Sequence, residues 1–377
     1  MAIRLAVPRE TLPGERRVAL DPSVAKRFVD LGAEVFIEHD AGAGAHYVDE
    51  DYIGVTFTED RAKLFGEADV IFKVQPPGEE EIDLMREGAV VIGFMLPHKY
   101  PERVARMRDR RITAFAMELI PRISRAQSMD ALSSQAAVAG YKAAIMAADR
   151  TGRFFPMLTT AAGTIRPAKV LVIGAGVAGL QAIATARRLG AIVEGYDVRS
   201  ATREQVESLG ARFVDTGVSA EGSGGYAREL TEEEKRKQIE VLARHVTQAD
   251  AVITTAAIPG KPSPKIISQE MVENMKVGSV IIDLAAEGGG NCEVTKPGEE
   301  YVYGCVTVYG PLNVPAMLPV HASEMYARNL FNFLSPMISE GELNLDWEDE
   351  VIRDSALTHE GEIRHQPTRQ RVEGDAS

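Results

Sequence analysis

The sequence predicts an α/β protein built from two doubly wound parallel-sheet domains joined by long helices, with a cleft between them. Three observations carry that expectation. Short apolar runs alternate with helical patterns along most of the chain, they fall into two series, and a long Ala-rich stretch separates the series. With 377 residues and domains of roughly 100–200 residues, there is room for two cores. The composition, 45% hydrophobic and 26% charged, is that of an ordinary globular protein and excludes a disordered or fibrous chain.

The first series of apolar runs lies at 3–7, 34–37, 70–74, 90–95 and 113–117. Each has the length of a buried parallel strand. Between the first two, Asp21 reads as an N-cap, Pro22 as the first helical residue and Gly32 as the stop. The Ala-rich stretch 131–150 reads as one long helix spanning the domains. A second series follows at 169–173, 192–196, 211–214, 251–255, 280–284 and 306–309, rich in Val, Ile and Ala and bounded by Gly, Pro or Asp. Residues 322–334 form a further helix, with Met325, Leu330, Phe331 and Leu334 on its apolar face, which returns to the first domain. The domains are therefore placed at 1–130 with 322–377, and at 131–321. From about Thr358 the sequence is polar and aperiodic, and a weakly ordered tail is expected.

Charge and cysteine content narrow the function classes. The 55 acidic residues outnumber the 42 basic ones, for a net charge of −13, which disfavours nucleic acid and anionic lipid as partners. Cys292 and Cys305 are too few for a disulfide framework and are not spaced as a metal site, so a reducing compartment, the cytoplasm, is expected. Arg4, Arg9 and Glu10 interrupt what a signal peptide would need. No window supplies the roughly 20 apolar residues of a membrane span.

The most informative motif follows the run 169–173 directly: Gly174-Ala-Gly176-Val177-Ala-Gly179, opening a helix. Gly174 permits the tight turn, Gly176 lets the backbone approach a pyrophosphate, and Gly179 lets the helix pack close to the strand. The helix N-terminus then offers free N–H groups and a positive dipole end to the phosphates. Three glycines at fixed places in a chain with 33 Gly would match by chance about 0.25 times, so context decides. Strand, turn and helix are all present, and Asp197 ends the next strand about 20 residues on, where a carboxylate takes the adenosine ribose hydroxyls. This is a Rossmann-type site for NAD(H). A carboxylate there repels a 2′-phosphate, although Arg199 and Arg203 lie close enough to soften the preference over NADP(H).

A second segment departs from ordinary dehydrogenases, which pair nicotinamide with a proton-transferring His or Lys. Residues 118–135 carry Arg122, Ser124, Arg125, Gln127, Ser128, Met129, Asp130, Ser133, Ser134 and Gln135. So much hydrogen-bonding capacity between a strand and a long helix suits carboxamide and pyrophosphate recognition. A polar linker with a helix cap at Asp130 is the plainer alternative.

The blocks RISRAQSMDALSSQ, TAAGTIRPAKVLVIGAGVAGLQAIATARRLGA, DVRSATREQVESLGA, GGYARE and TTAAIPGKP resemble the NAD(H)-binding component of proton-translocating NAD(P) transhydrogenase, over most of the chain. The resemblance implies that Arg122, Gln127, Asp130 and Ser133 position the dihydronicotinamide, with Ser128 and Met129 in the same loop. It also implies that Gly225 and Tyr226 lie on a mobile lid. By the same resemblance, Val177 lines the pyrophosphate turn, Asp197, Val198 and Arg199 the adenosine ribose, and Gln238 and Ala257 further nucleotide contacts. The implied partners are a second copy of the chain, membrane-embedded subunits, and a partner subunit that binds NADP(H). The implied location is peripheral, on the cytoplasmic face of the membrane.

The same fold is shared with alanine dehydrogenase, and two positions keep its character: Arg17 and Lys73 match residues that bind substrate carboxylate and carbonyl there. Its catalytic His falls near Phe94 or Met95, and its catalytic Asp matches Glu287. His98 lies a few residues off as an alternative base. An amino-acid site thus looks dismantled, with Arg17 and Lys73 as structural relics. An alanine-dehydrogenase-like oxidoreductase and a non-catalytic NAD(H) sensor are the competing readings.

Overall fold

The computed structural model describes residues 2–220, 228, 230–257, 260–339 and 341–374. The chain divides into two compact units, 1–135 with 316–377, and 136–315.

The first unit opens with six strands: β1 (Arg4–Val7), β2 (Glu34–Glu38), β3 (Thr56–Thr58), β4 (Val70–Phe72), β5 (Val90–Gly93) and β6 (Thr113–Ala116). They pair in parallel in the spatial order β6-β5-β4-β1-β2-β3. This is a doubly wound arrangement, reversing direction between β1 and β4. The helix Pro22–Asp30 begins as its sequence indicates, with Asp21 Oδ1 accepting the Val24 N–H at 3.3 Å and Gly32 following it at φ +86°. Strand β3 is the one parallel strand of this unit that the apolar runs did not mark: Thr56, Phe57 and Thr58 are only partly covered at the sheet edge.

The helix Ala131–Arg150 leads into the second unit. That unit carries a separate hairpin, β7 (Leu158–Thr160) with β8 (Gly163–Ile165), and a seven-stranded sheet. Its strands are β9 (Lys169–Ile173), β10 (Ile192–Tyr196), β11 (Arg212–Phe213), β12 (Ala251–Thr254), β13 (Val280–Asp283), β14 (Glu300–Tyr303) and β15 (Val306–Tyr309). The order is β11-β10-β9-β12-β13-β15-β14, parallel except for the edge strand β14. Without β14 this is the 3-2-1-4-5-6 order of dinucleotide-binding sheets, with its switch between β9 and β12. Strands β9, β12 and β13 are almost wholly buried, as their unbroken Val/Ile runs require.

The helix Pro319–Leu334 belongs to the first unit, where Tyr326, Leu330, Phe333 and Leu334 are buried. A small hairpin, β16 (Ile338–Ser339) with β17 (Glu342–Leu343), follows it. The expected weakly ordered tail is overturned. Strand β18 (Ala356–His359) pairs antiparallel with β6, β19 (Glu362–Ile363) adds to it, and Gln366–Glu373 is helical. Leu357, Thr358 and Ile363 are buried, and Thr358 Oγ1 donates to Ile112 O at 2.8 Å. Strands this short show no period against polar flanks, yet they close an edge that β6 would otherwise expose. Among the described residues no helix is long and apolar enough to cross a membrane.

Candidate functional site

In the second unit the three fingerprint glycines are required for three different reasons. Gly174 has φ +98°, and a Cβ there would lie 2.5 Å from Thr255 Oγ1. A Cβ on Gly179 would lie 1.7 Å from Gly174 O, so only glycine lets the helix Val177–Arg188 sit this close to the turn. Gly176 is the N-cap of that helix with ordinary backbone angles, and open space surrounds its would-be Cβ. No side chain caps the helix, so its first N–H groups face that space together with the positive dipole end. Val177 is exposed beside it. This cradle fits a pyrophosphate.

Asp197, at the end of β10, is buried. Its Oδ2 accepts the Ala175 N–H of the fingerprint turn at 2.7 Å, and Arg199 forms a two-pronged ion pair with it. Arg203 pairs instead with Asp215. Val198 packs beside the sheet core. Gln238 is buried, and its Nε2 donates to Tyr196 Oη at 2.7 Å; burial raises the Tyr196 pKa, with Gln238 opposing. Ala257 is exposed just beyond β12, at the carboxyl edge of the sheet. Sequence reasoning missed what holds this edge. Thr255 Oγ1 donates to Gly174 O at 3.1 Å, bridging the two lips of the switch point. Asn291 accepts the Ala256 N–H at 2.9 Å and donates to Ala256 O at 2.7 Å. The signal was a lone buried amide after three glycines. Gly225 and Tyr226 lie outside the described residues.

In the first unit the polar segment forms a 3₁₀ turn, Ser124–Met129, leading into the long helix. Asp130 caps that helix: Oδ1 accepts the Ser133 N–H at 2.9 Å and Oδ2 the Ser133 hydroxyl at 2.6 Å. Arg122, Gln127 and Ser128 are exposed, and Met129 is partly covered. The turn is tied down by residues from the last third of the chain. Ser134 Oγ donates to Asn329 Oδ1 at 2.7 Å, while Asn329 and Asn332 both donate to Ser128 O. Arg125 pairs with Asp349. Nothing in sequence spacing links Asn329 to Ser128.

Glu118, just ahead of this segment, was also missed. Its Oε1 accepts the N–H groups of Met95 at 3.0 Å and Leu96 at 2.6 Å, and burial raises its pKa to about 7. The bond holds Leu96 at φ +44°.

The positions matched to alanine dehydrogenase are committed internally. Arg17 forms a bidentate pair with Glu15, at 2.8 and 2.6 Å, and donates to Gln135 Oε1 at 2.9 Å. Glu15 is fully buried, but the Arg17 pair outweighs burial and brings its pKa down to about 2. Lys73, 1% exposed, lies 3.1 Å from both Glu10 and Glu81. Phe94 and Met95 are buried, and Phe94 stacks on Tyr326. His98 is exposed, and Glu287 is exposed and accepts the Asn313 N–H.

Comparison with known proteins agrees with this geometry. Residues 6–139 match the family described as alanine dehydrogenase/PNT, N-terminal domain, and residues 143–366 its C-terminal domain. The first of the polypeptides that make up the NAD(P) transhydrogenase alpha subunit of Rhodospirillum rubrum is 48% identical, over 96% of this chain and 98% of that protein. A crystal structure of transhydrogenase from Sinorhizobium meliloti is 46% identical, with a TM-score of 0.87 over 96% of this chain and 99% of that one. Alanine dehydrogenase of Methanococcus maripaludis is more distant, at 28% identity over 82% of this chain and 81% of that enzyme. The chain therefore belongs to the alanine dehydrogenase/PNT family and, within it, to the NAD(P) transhydrogenase alpha subunits.

Proposed function

We propose that the chain binds NAD(H) and presents NADH for direct hydride transfer to NADP⁺ held by a partner subunit, with membrane-embedded subunits coupling that transfer to proton translocation. The observation that carries the reading is the turn at Ser124–Met129. Asn329, Asn332, Asp349 and the Asp130–Ser133 pair fix its backbone. The Gln127 side chain is exposed and makes no hydrogen bond among the described residues. A fixed turn bearing an uncommitted amide, both donor and acceptor, suits recognition of a carboxamide.

The bound nucleotide supplies the hydride, from C4 of its dihydronicotinamide. In this reading Gly174, Gly176, Val177 and Gly179 receive the pyrophosphate, Asp197, Val198 and Arg199 the adenosine ribose, and Ala257 borders the nucleotide. Gln238 steadies Tyr196 beside Asp197. Arg122, Gln127, Ser128, Met129, Asp130 and Ser133 orient the reacting ring, and Gly225 and Tyr226 close over it. Hydride passes between two carbons without a proton, so positioning within roughly 3–3.5 Å, rather than a general base, is the catalytic task. The chain works as a homodimer. The hairpin β7–β8 exposes Leu158 and Ile165, with Met157 beside them, and a two-stranded hairpin is marginal by itself. The chain attaches to the cytoplasmic face of the membrane through its partner subunits.

The test is to mix the pure chain with NADH, the partner's NADP(H)-binding domain and an oxidised nicotinamide analogue. Transfer that requires the partner is expected. Turnover with pyruvate and ammonia alone would overturn the reading in favour of an amino-acid oxidoreductase, and tight NADH binding without transfer would favour a sensor.

A further inference from the structure

Asp197 has no acceptor capacity to spare in this structure. Its Oδ1 accepts the Arg199 backbone N–H at 2.8 Å and Arg199 Nε at 2.8 Å. Its Oδ2 accepts the Ala175 N–H at 2.7 Å and Arg199 Nη2 at 2.7 Å. A carboxylate offers about four lone-pair sites, and all are taken, two of them by one guanidinium fork. The two kinds of bond differ in permanence. The Ala175 and Arg199 N–H groups belong to the backbone of the fingerprint turn and of the turn after β10, and they hold the carboxylate with or without a ligand. The guanidinium is on a flexible side chain and can leave.

A ribose diol needs two acceptor positions, and the two that can be vacated are those the fork occupies. We infer that the Arg199 guanidinium plugs the ribose acceptor of the empty protein, so that it sets both the affinity for the nucleotide and the selectivity between a 2′-hydroxyl and a 2′-phosphate. The inference rests on the reading of Asp197 as the ribose acceptor. Once displaced, Arg199 remains on the same short turn, with its charge near the 2′ position. A 2′-hydroxyl leaves it in water, whereas a 2′-phosphate would pair with it bidentately. Arg203 is held by Asp215, so Arg199 is the arginine whose side chain already reaches this carboxylate.

The test uses the full chain, with NADH titrated by its fluorescence and 5′-AMP and 2′,5′-ADP as competitors. Arg199→Met should tighten NADH and 5′-AMP by about three- to tenfold and weaken 2′,5′-ADP by about tenfold, the scale of one charge-assisted pair. Arg199→Lys, which loses the fork but keeps the charge, should tighten 5′-AMP and hold 2′,5′-ADP near its original affinity. If Arg199→Met weakens all three ligands alike, or changes none, the plug is refuted. Asp197→Ala separates the two levels. Unchanged NADH binding in that variant removes the ribose reading itself. A clear loss there, with no tightening in either Arg199 variant, removes only the plug.

Discussion

Glycines 176 and 179 offer a sharp test of the fingerprint, because the structure assigns one to binding and the other to folding. At Gly179 a Cβ would meet Gly174 O at 1.7 Å, and ordinary contact begins at 3.4 Å. The obstacle is backbone, so Gly179→Ala forces the helix away from the turn by a similar distance. Overpacking of this kind costs about 1–3 kcal/mol or more, and a shift above 1 Å at the pyrophosphate should weaken NADH by about a hundredfold. At Gly176 nothing obstructs the Cβ and φ is −78°. Gly176→Ala should therefore cost less than about 1 kcal/mol, the loss from alanine at an N-cap. Its methyl group nevertheless fills the space the pyrophosphate needs, so NADH should weaken by at least about tenfold. Thermal melting without nucleotide, alongside NADH fluorescence titration, reads both quantities. A Gly176→Ala variant that binds NADH like the parent, or a Gly179→Ala variant that melts like it, would refute the assignment.

Gln127→Asn should slow partner-dependent hydride transfer far more than it weakens NADH binding; equal losses in transfer rate and in NADH dissociation constant would count against a positioning role. Leu357→Ala, deep beneath β18, should cost about 2–5 kcal/mol in urea unfolding, whereas a loosely attached tail would show almost none. Glu118 keeps its proton to about pH 7 in the folded chain, while the unfolded chain releases it near the ordinary carboxylate value. Stability should therefore fall as pH rises between about 4.5 and 7, by up to ~3 kcal/mol, and Glu118→Gln should remove that slope. Glu15 acts with the opposite sign. Its folded pKa of about 2 makes its contribution complete above pH 4.5 and lost as pH falls toward 2, a loss that Glu15→Gln should abolish.

Legibility followed periodicity and backbone necessity. Strands β1, β2, β4 to β6, β9, β10, β12, β13 and β15 were readable because burial on both faces demands continuous apolar runs. Gly174 and Gly179 were readable because no other residue fits their surroundings. Strands β3, β14, β18 and β19 lie at sheet edges, where half-exposure mixes polar residues such as Thr358 into very short segments. In the candidate site, Asp130, Ser133 and Asp197 stood out by residue type and spacing. Asn329, Asn291 and Glu118 did not, since each works by reaching a backbone group distant in sequence: Ser128 O, the two Ala256 groups, and the N–H groups of Met95 and Leu96. Only the folded chain brings these together. The state of Asp197 was equally invisible, because a sequence places Arg199 two residues away without showing that it is folded onto the carboxylate.

Isotope tracing tests the central claim most directly. NADH carrying deuterium at C4 on the transferring face is mixed with the chain and the NADP⁺-loaded partner domain in ordinary water, and the NADPH formed is analysed by mass spectrometry. Direct transfer requires the deuterium to appear at C4 of NADPH with none lost to solvent. Deuterium released to water, or NADPH formed without it, would contradict the account.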